Sequence, residues 1–526
     1  MSRSSVRVLI ASLLLAAASA RAQDAALSAP PAPAPVVVPP NGESLAQEQV
    51  RAEQNTPPPA PTGVPLTLEE CIALAMKKNF DLQIEGFRVE QAREALVVAR
   101  SDFLPTFTGS TQRTLNRNSI LVPGPNGTTN IVDRDSNTTT FRAGVSERIP
   151  YTNGTVSVSG VLSRNSVQNP PFSSGVSATL NQPLLNGAGS TIARAAVQRS
   201  QLGLNIAQVN FRSRVLSVIR DTENAYYNVV TTRENLRIRQ LSLELAQRLL
   251  EENQARRATG VATDLDVATA EVGVANARRA VIQADQSVRN AEDALLSLIN
   301  TPTFDVRPGP VAFSDINIET PDFARSYKAA RDNYPDTLSA EDVIRQLEID
   351  VATARRNRLP TLNLVASAGY NDNDTSYRSA LDALRDDPGD TRSLGLTYSI
   401  PWGMRADRAR YRSAVAGLNA QKARLEQLEL QLLVNVRSAV RAVETNVSSV
   451  EIAQQATQLA ARQYDLQKAR FDAGLATSRL VLEAQDDLET ARLNELTAKA
   501  NLWSAIAELH RLEGTSIQRF GVQLPQ

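Results

Sequence analysis

The 526-residue sequence contains one cysteine, Cys71, and one histidine, His510. A lone cysteine excludes an internal disulfide and a cysteine-rich metal site. With three methionines beside that histidine, little remains to ligate a transition metal, and no metal site or cofactor is expected. The same scarcity excludes most nucleophile–base pairs; no catalytic constellation is found and the chain reads as a non-enzyme. Neither sign of charge is in excess: 56 basic and 56 acidic residues give a formal net charge of zero, so nothing points to nucleic acid. Past the N-terminus no apolar run reaches bilayer-spanning length. Any membrane crossing must therefore use β-strands, which satisfy backbone polar groups by closing into a barrel. Cys71, set among Ile72, Leu74 and Ala75, reads as a small core residue, and His510 as a surface or packed one.

What is present begins with an export signature. Arg3 and Arg7 precede the apolar run at 8–20, followed by Ala20-Arg21-Ala22. This is the layout of a cleaved signal peptide over 1–22. Residues 23–65, rich in Pro and Ala, read as a disordered or extended linker.

The rest is a duplication. "ARRATGVATDLDVATAEV" (255–272) returns as "ARFDAGLATSRLVLEAQDDL" (469–488), placing Gly260 on Gly474. Behind the first glycine runs the ladder Val267, Val274, Val281, Val288, Leu295. Behind the second runs Val481, Leu488, Glu495, Leu502, Leu509, broken only at Glu495. Seven-residue spacing predicts coiled-coil helices, as does Val229, Leu236, Leu243, Leu250 upstream. Helical periodicity is expected over 66–100, from about Ala188 to Thr259, from about Asp264 to Leu298, and again in the second copy from 333. Pro105 and Pro360 close the shorter helices.

Between these helices the period drops to two. Val156, Val158, Gly160 and Leu162 alternate with polar neighbours, as do Val176, Ala178 and Leu180, and Leu394, Leu396, Tyr398 and Ile400 share one face. Strands are therefore expected within 104–186 and 361–400. Polar loops are expected at 116–137, 166–174 and 371–392, and a tight turn at Thr152-Asn153-Gly154. The first copy has more residues between its proline and its glycine. An added hairpin over 138–165 accounts for this, giving six strands in all. The fold class is thus mainly α, with duplicated long helical hairpins and strands contributing to a barrel. The domain reading is 66–300 for the first repeat, 301–332 for a connector, 333–515 for the second repeat and 516–526 for a tail.

Across 66–515 the chain resembles the TolC-type outer-membrane efflux proteins. The resemblance rests on "LTLEECIALAMKKNF", the helix ends "FLPTF" and "RLPTL", "NQPLLNGAG" at the entry to the long helix, and the two glycine tips. It implies a homotrimer sharing one β-barrel among outer-membrane lipid, with a helical tunnel reaching into the periplasm. It also implies the passive exit duct of a tripartite efflux or type I secretion system. Its partners would be a periplasmic adaptor (membrane-fusion) protein and an inner-membrane pump of RND, ABC or MFS type. The adaptor-docking tips would be Gly260, Val261, Ala262 and Thr263, with Gly474, Leu475, Ala476 and Thr477. A periplasmic gate would use Asp266; Phe471 takes the place of a tyrosine and lacks its hydroxyl, and Ala476 takes the place of an arginine, with Arg479 one turn away. Of two positions for an acidic pore ring, one is Leu480 and the other Glu483, which would favour cations. From the residues alone, a trimeric coiled-coil surface protein or adhesin, or a soluble periplasmic scaffold, stays open as an alternative.

Overall fold

The computed structural model describes residues 66–123, 127, 129–300, 309, 321–386 and 389–523. The expected signal peptide and linker lie outside the described residues, as does most of the expected connector.

The first helix, α1 (Leu68–Lys78), starts at a capping box formed by Thr67 and Glu70. The single helix expected over 66–100 is two helices, because Asn79 leaves the helical region (ψ 129°) and caps a second one. Its side chain accepts from the Asp81 and Leu82 amides at the start of α2 (Phe80–Ser101). Four strands come next: β1 (Thr106–Pro123), β2 (Thr129–Arg148), β3 (Thr155–Asn165) and β4 (Phe172–Pro183). After a single turn at Ser190–Ala193 comes α3 (Ala195–Ala258), then α4 (Asp264–Leu298). At 64 residues, α3 is about 96 Å long at 1.5 Å per residue.

The second repeat mirrors this order. Helix α5 (Phe323–Asn333), which begins inside the expected connector, and α6 (Pro335–Arg356) are separated at Tyr334, with Pro335 at the first helical position. Then come β5 (Thr361–Asp374), α7 (Tyr377–Asp386), β6 (Gly389–Ser399), the 68-residue α8 (Arg405–Asp472) and α9 (Ser478–Glu513).

The long helices pair as two hairpins, α3 with α4 and α8 with α9, and α9 also packs on α3. Val267, Val288 and Leu295 of the first ladder are buried, as are Val481, Leu488, Leu502 and Leu509 of the second. At the broken rung, Glu495 pairs with Lys499 at 2.7 Å and the neighbouring Leu496 is buried instead. On α3 the seam differs from the expected one. Leu236, Leu243 and Leu250 are only half-buried, while Ile238, Ser242, Ala246, Leu249 and Asn253 form the buried line. Small and polar residues there admit α9 closely, and Gln485 donates to the Ser242 carbonyl at 2.9 Å. Cys71 is fully buried in the core beside Val215, Ile219 and Leu295. Burial, followed by the charge of Glu70, pushes its thiol up to about 11, so it is an inert packing residue.

The six strands among the described residues form one antiparallel sheet in chain order, β1-β2-β3-β4-β5-β6, four from the first repeat and two from the second. The β2–β3 turn places Asn153 at φ +64°, closed by Ile149 donating to the Gly154 carbonyl at 2.8 Å. Two expected loops are regular structure. Residues 116–137 belong mostly to a long β1–β2 hairpin, whose register sets Arg117 against Asp135 and Ser119 against Asp133. Those pairs bond at 2.9 and 2.6 Å, so polar side chains that read as loop composition act as cross-strand pairs. Within 371–392, α7 packs on the sheet: Ser174 donates to the Ala380 carbonyl at 2.5 Å, and Tyr377 meets Phe172 edge-on with centroids 4.4 Å apart.

The register sorts the sheet into two faces. One carries Phe107, Val145, Val158, Val176, Leu180, Ala368, Tyr370, Leu394, Leu396 and Tyr398. The other carries Ser, Thr, Asn and Gly almost throughout. On β4, Val176 and Ala178 are exposed while Ser177 and Thr179 are half-buried. The sheet therefore curls with its polar face inward and its apolar band outward. Such a band facing water would be strongly unfavourable; facing hydrocarbon it is the expected arrangement. Among the described residues no helix is long and apolar enough to cross a membrane.

Candidate functional site

The two glycine tips close by the same hydrogen-bond geometry. Gly260 stands at φ +76° and Gly474 at φ +74°, a region that only glycine enters cheaply. In the first tip, the Gly260 amide donates to Arg257 and the Val261 amide to Arg256, both at 2.9 Å. In the second, Gly474 donates to Phe471 at 2.9 Å and Leu475 to Arg470 at 2.8 Å. These paired bonds are the Schellman closure of a helix C-terminus. Beyond each glycine the apolar side chains are turned out: Val261 is 73 % exposed, Leu265 75 % and Leu475 72 %. Large apolar groups at a hairpin tip, without intrachain cover, suit a surface meant to be covered by a partner.

The tips differ in their polar ties. Thr263 caps α4 in a capping box with Asp266: the Asp266 amide donates to Thr263 Oγ1 at 3.2 Å and the Thr263 amide to Asp266 Oδ2 at 3.0 Å. Thr477 begins α9 with no side-chain cap bond. Asp266 also accepts from Ser478 Oγ at 3.3 Å, so one carboxylate spans both tips. The Thr263 hydroxyl and amide, with Ser478, hold its pKa below the usual carboxylate range. Asp264 pairs with Arg257 at 2.6 Å on the exposed side of the first tip.

Phe471 is buried just inside the second tip, clustered with Leu249 and Val481. The Arg256 guanidinium lies 3.9 Å from its ring centroid and donates to the Phe471 carbonyl at 3.1 Å. Lys468 lies 5.7 Å from the same centroid, bonds Glu252 at 2.6 Å and approaches Asp472 to 3.3 Å. The end of α3 is thereby tied to the end of α8 through Arg256, Lys468 and the ring between them. Sequence comparison of the repeats misses this tie, because two of its three members, Phe471 and Lys468, do not repeat. The first-copy counterpart of Phe471 is Arg257, and that of Lys468 is Gln254.

Asp266 and Phe471 are thus drawn into the tips, each with its own partners. Arg479 and Glu483 are exposed on α9, and among the described residues neither forms an intrachain ion pair. Glu483 is joined on its face of α9 by Asp486 and Asp487, one turn further along. Burial, and then the charge of Asp487, raises the Asp486 pKa. The acidic face is broader than the single ring position that the sequence singled out.

A second set of polar groups lies where α3, α9 and the C-terminal residues meet. Glu223 is 3 % exposed, and its Oε2 has no hydrogen-bond partner. Burial pushes its carboxyl up from 4.5 to about 7, against the opposing charges of Arg519 and His510. His510 Nδ1 sits 3.2 Å from Thr515 Oγ1 and 3.6 Å from Glu513, so it is a packed residue with local partners. The folded Glu223 holds its proton more tightly than the unfolded one. Its contribution is therefore fully present below about pH 4.5 and lost as pH rises through about 7. Glu223→Gln is expected to be about as stable as the parent at pH 4.5 and more stable at pH 8, by on the order of 3 kcal/mol. Thermal unfolding across that range checks it; an equal gain at both pH values would argue against the buried acid.

Comparison with known proteins meets this geometry. The family model described as outer membrane efflux protein matches residues 71–301 and 326–515. The pyoverdine export outer membrane protein OpmQ of Pseudomonas aeruginosa is 26 % identical over 458 residues, covering 84 % of each chain. The outer membrane protein TolC of Escherichia coli is 25 % identical over 338 residues, covering 60 % of this chain and 66 % of that one. Among solved structures, the Campylobacter jejuni CmeC outer membrane channel superposes with a TM-score of 0.65 at 20 % identity, covering 87 % of this chain and 90 % of that one. An isolated coiled-coil adhesin and a soluble scaffold both give way to the match. The apolar-banded sheet, the paired long helices and the two glycine tips are those of a chain that belongs to the outer membrane efflux protein family, an outer-membrane exit duct reaching into the periplasm.

Proposed function

We propose that three copies of the chain assemble into one duct, joined by their sheet edges. We further propose that the tips Gly260–Thr263 and Gly474–Thr477 receive a periplasmic adaptor protein, which couples the duct to an inner-membrane pump. The observation that carries this is the sheet: among the described residues its six strands leave β1 and β6 with open edges. Within a bilayer every backbone polar group needs a partner, so those edges call for another copy. Head-to-tail pairing of identical copies closes into a ring. The exposed apolar tips support the adaptor contact. Export then needs no chemistry in this chain; opening is a shift of the two hairpins between packings.

Cysteines placed on the outer edges of β1 and β6 test the assembly. Oxidation of intact outer membranes is expected to give covalent dimers and trimers on denaturing gels. A disulfide formed only within single chains would mean that the sheet closes on itself, and would sink the shared barrel.

A further inference from the structure

The polar face of the sheet has a charge bias that the neutral chain hides. Register pairs Ser110, Arg142 and Val161 across β1, β2 and β3, and Ser159 with Ser177 across β3 and β4. On β5 and β6 the same face carries Asn363, Ser367 and Asn371 against Thr397, Ser393 and Gly389. The strand carboxylates Asp133, Asp135, Glu147, Asp372, Asp374 and Asp390 all fall on the opposite face by the same register. Among the described side chains, the polar face of the strands carries no carboxylate and two cations, Arg142 and Arg148. Arg148, at the end of β2, donates to Asn153 Oδ1 at 2.7 Å and lies over Phe103. Arg142, six residues further into the sheet, is exposed and forms no ion pair among the described residues.

We propose that the outlet formed by the strands is an eighteen-stranded, anion-favouring lumen, in which Arg142 is the residue that sets the preference. This rests on the trimeric barrel proposed above, since three copies of six strands make eighteen. A barrel of that strand number encloses an aqueous channel rather than a packed interior. Three Arg142 guanidinium groups line its wall at one level, with no carboxylate among them to cancel their field. In so wide a lumen the field is screened by salt, so the preference belongs to low ionic strength and fades when the Debye length shrinks to about 3 Å. The outlet and the acidic face near Glu483 at the tips therefore carry opposite signs, and anionic solutes would meet their favourable region last.

The test reads the local field directly, independent of whether the tips are open. Thr140 lies on the polar face one step along β2 from Arg142, and Val158 lies on the apolar face. Full-length protein carrying Thr140→Cys or Val158→Cys is labelled in outer membranes with two small methanethiosulfonates, one anionic and one cationic; native Cys71 is buried and silent. At 0.01 M salt, adding Arg142→Gln is expected to lower the anionic-to-cationic rate ratio at Thr140→Cys about fivefold, the screened effect of one charge about 7 Å away. Arg142→Lys is expected to restore the ratio, and 1 M salt to erase the difference. A ratio that Arg142→Gln leaves unchanged at low salt overturns the role of Arg142 while leaving the barrel standing. Val158→Cys reacting as fast as Thr140→Cys overturns the barrel reading itself, because the two faces would then share one solvent.

Discussion

Gly474→Trp is expected to abolish export while the protein still assembles in the outer membrane. At φ +74° any side chain is strained, a cost of roughly 1–2 kcal/mol. Apart from its chain neighbours, no heavy atom lies within 4 Å of the position a Cβ would take, so a side chain leaves the backbone there into open space. The indole would project from the tip, beside Leu475, onto the surface assigned to the adaptor. Gly474→Asn is the control: asparagine tolerates the left-handed region and is small. Asn should keep export near the parent level, and Trp should reduce it at least a hundredfold, measured as accumulation or secretion of an exported solute. Loss of export in both variants would assign the effect to backbone strain. Full export by the Trp variant would remove this tip from the docking surface.

The second large effect is expected from loosening the tie between α3 and α8. Arg256 over Phe471 is worth about 0.5–2 kcal/mol as a cation–π contact. The Lys468–Glu252 pair, partly open to solvent, adds about 0.2–1 kcal/mol. If the mouth opens by separating the two hairpins, Arg256→Ala combined with Lys468→Ala favours the open packing by roughly 1–3 kcal/mol per chain. A shift of 1.4 kcal/mol is tenfold in an equilibrium, so the open-to-closed ratio should rise by roughly five- to a hundredfold. Single-channel recording in planar bilayers checks this through open probability. An unchanged open probability would mean that the tie serves packing alone. Neither substitution alters Leu249 or Val481, which pack against Phe471, so that core contact is expected to be retained.

Much of this molecule was legible in the sequence, because its local signals agree with its global form. Gly260 and Gly474 announce reversals that the backbone makes through left-handed glycines. Alternation at 155–162 and 175–182 gave strands and their faces, and the extra length of the first repeat matched a sheet of six strands. The misreadings have identifiable causes. Asn79 looks like one polar residue in a long periodic run, yet its side chain caps a new helix. Arg117, Ser119, Asp133 and Asp135 look like loop composition until pairing places them opposite one another. Helix α7 was hidden in a polar stretch whose helical face only matters once Ser174 and Phe172 lie beneath it.

The candidate site divides along the same line. The resemblance carried by the sequence singled out the proposed docking tips, and Asp266, Phe471, Arg479 and Glu483 as candidates beside them. It could not foresee that Asp266 ties Thr263 to Ser478, or that Arg256 and Lys468 bracket Phe471. The Asp266–Ser478 and Arg256–Phe471 contacts join residues more than 200 positions apart, and neither repetition nor periodicity encodes them. Sequence alone determined the long helices, the strands at 155–162 and 175–182, the glycine turns and the duplication, since these depend on spacing and on backbone freedom within a few residues. Tertiary structure decided the α3 seam, the asymmetric ties at the tips and the carboxylate-free polar face. Each of these depends on which side chains meet across elements, and register and packing fix that only when the whole chain is folded.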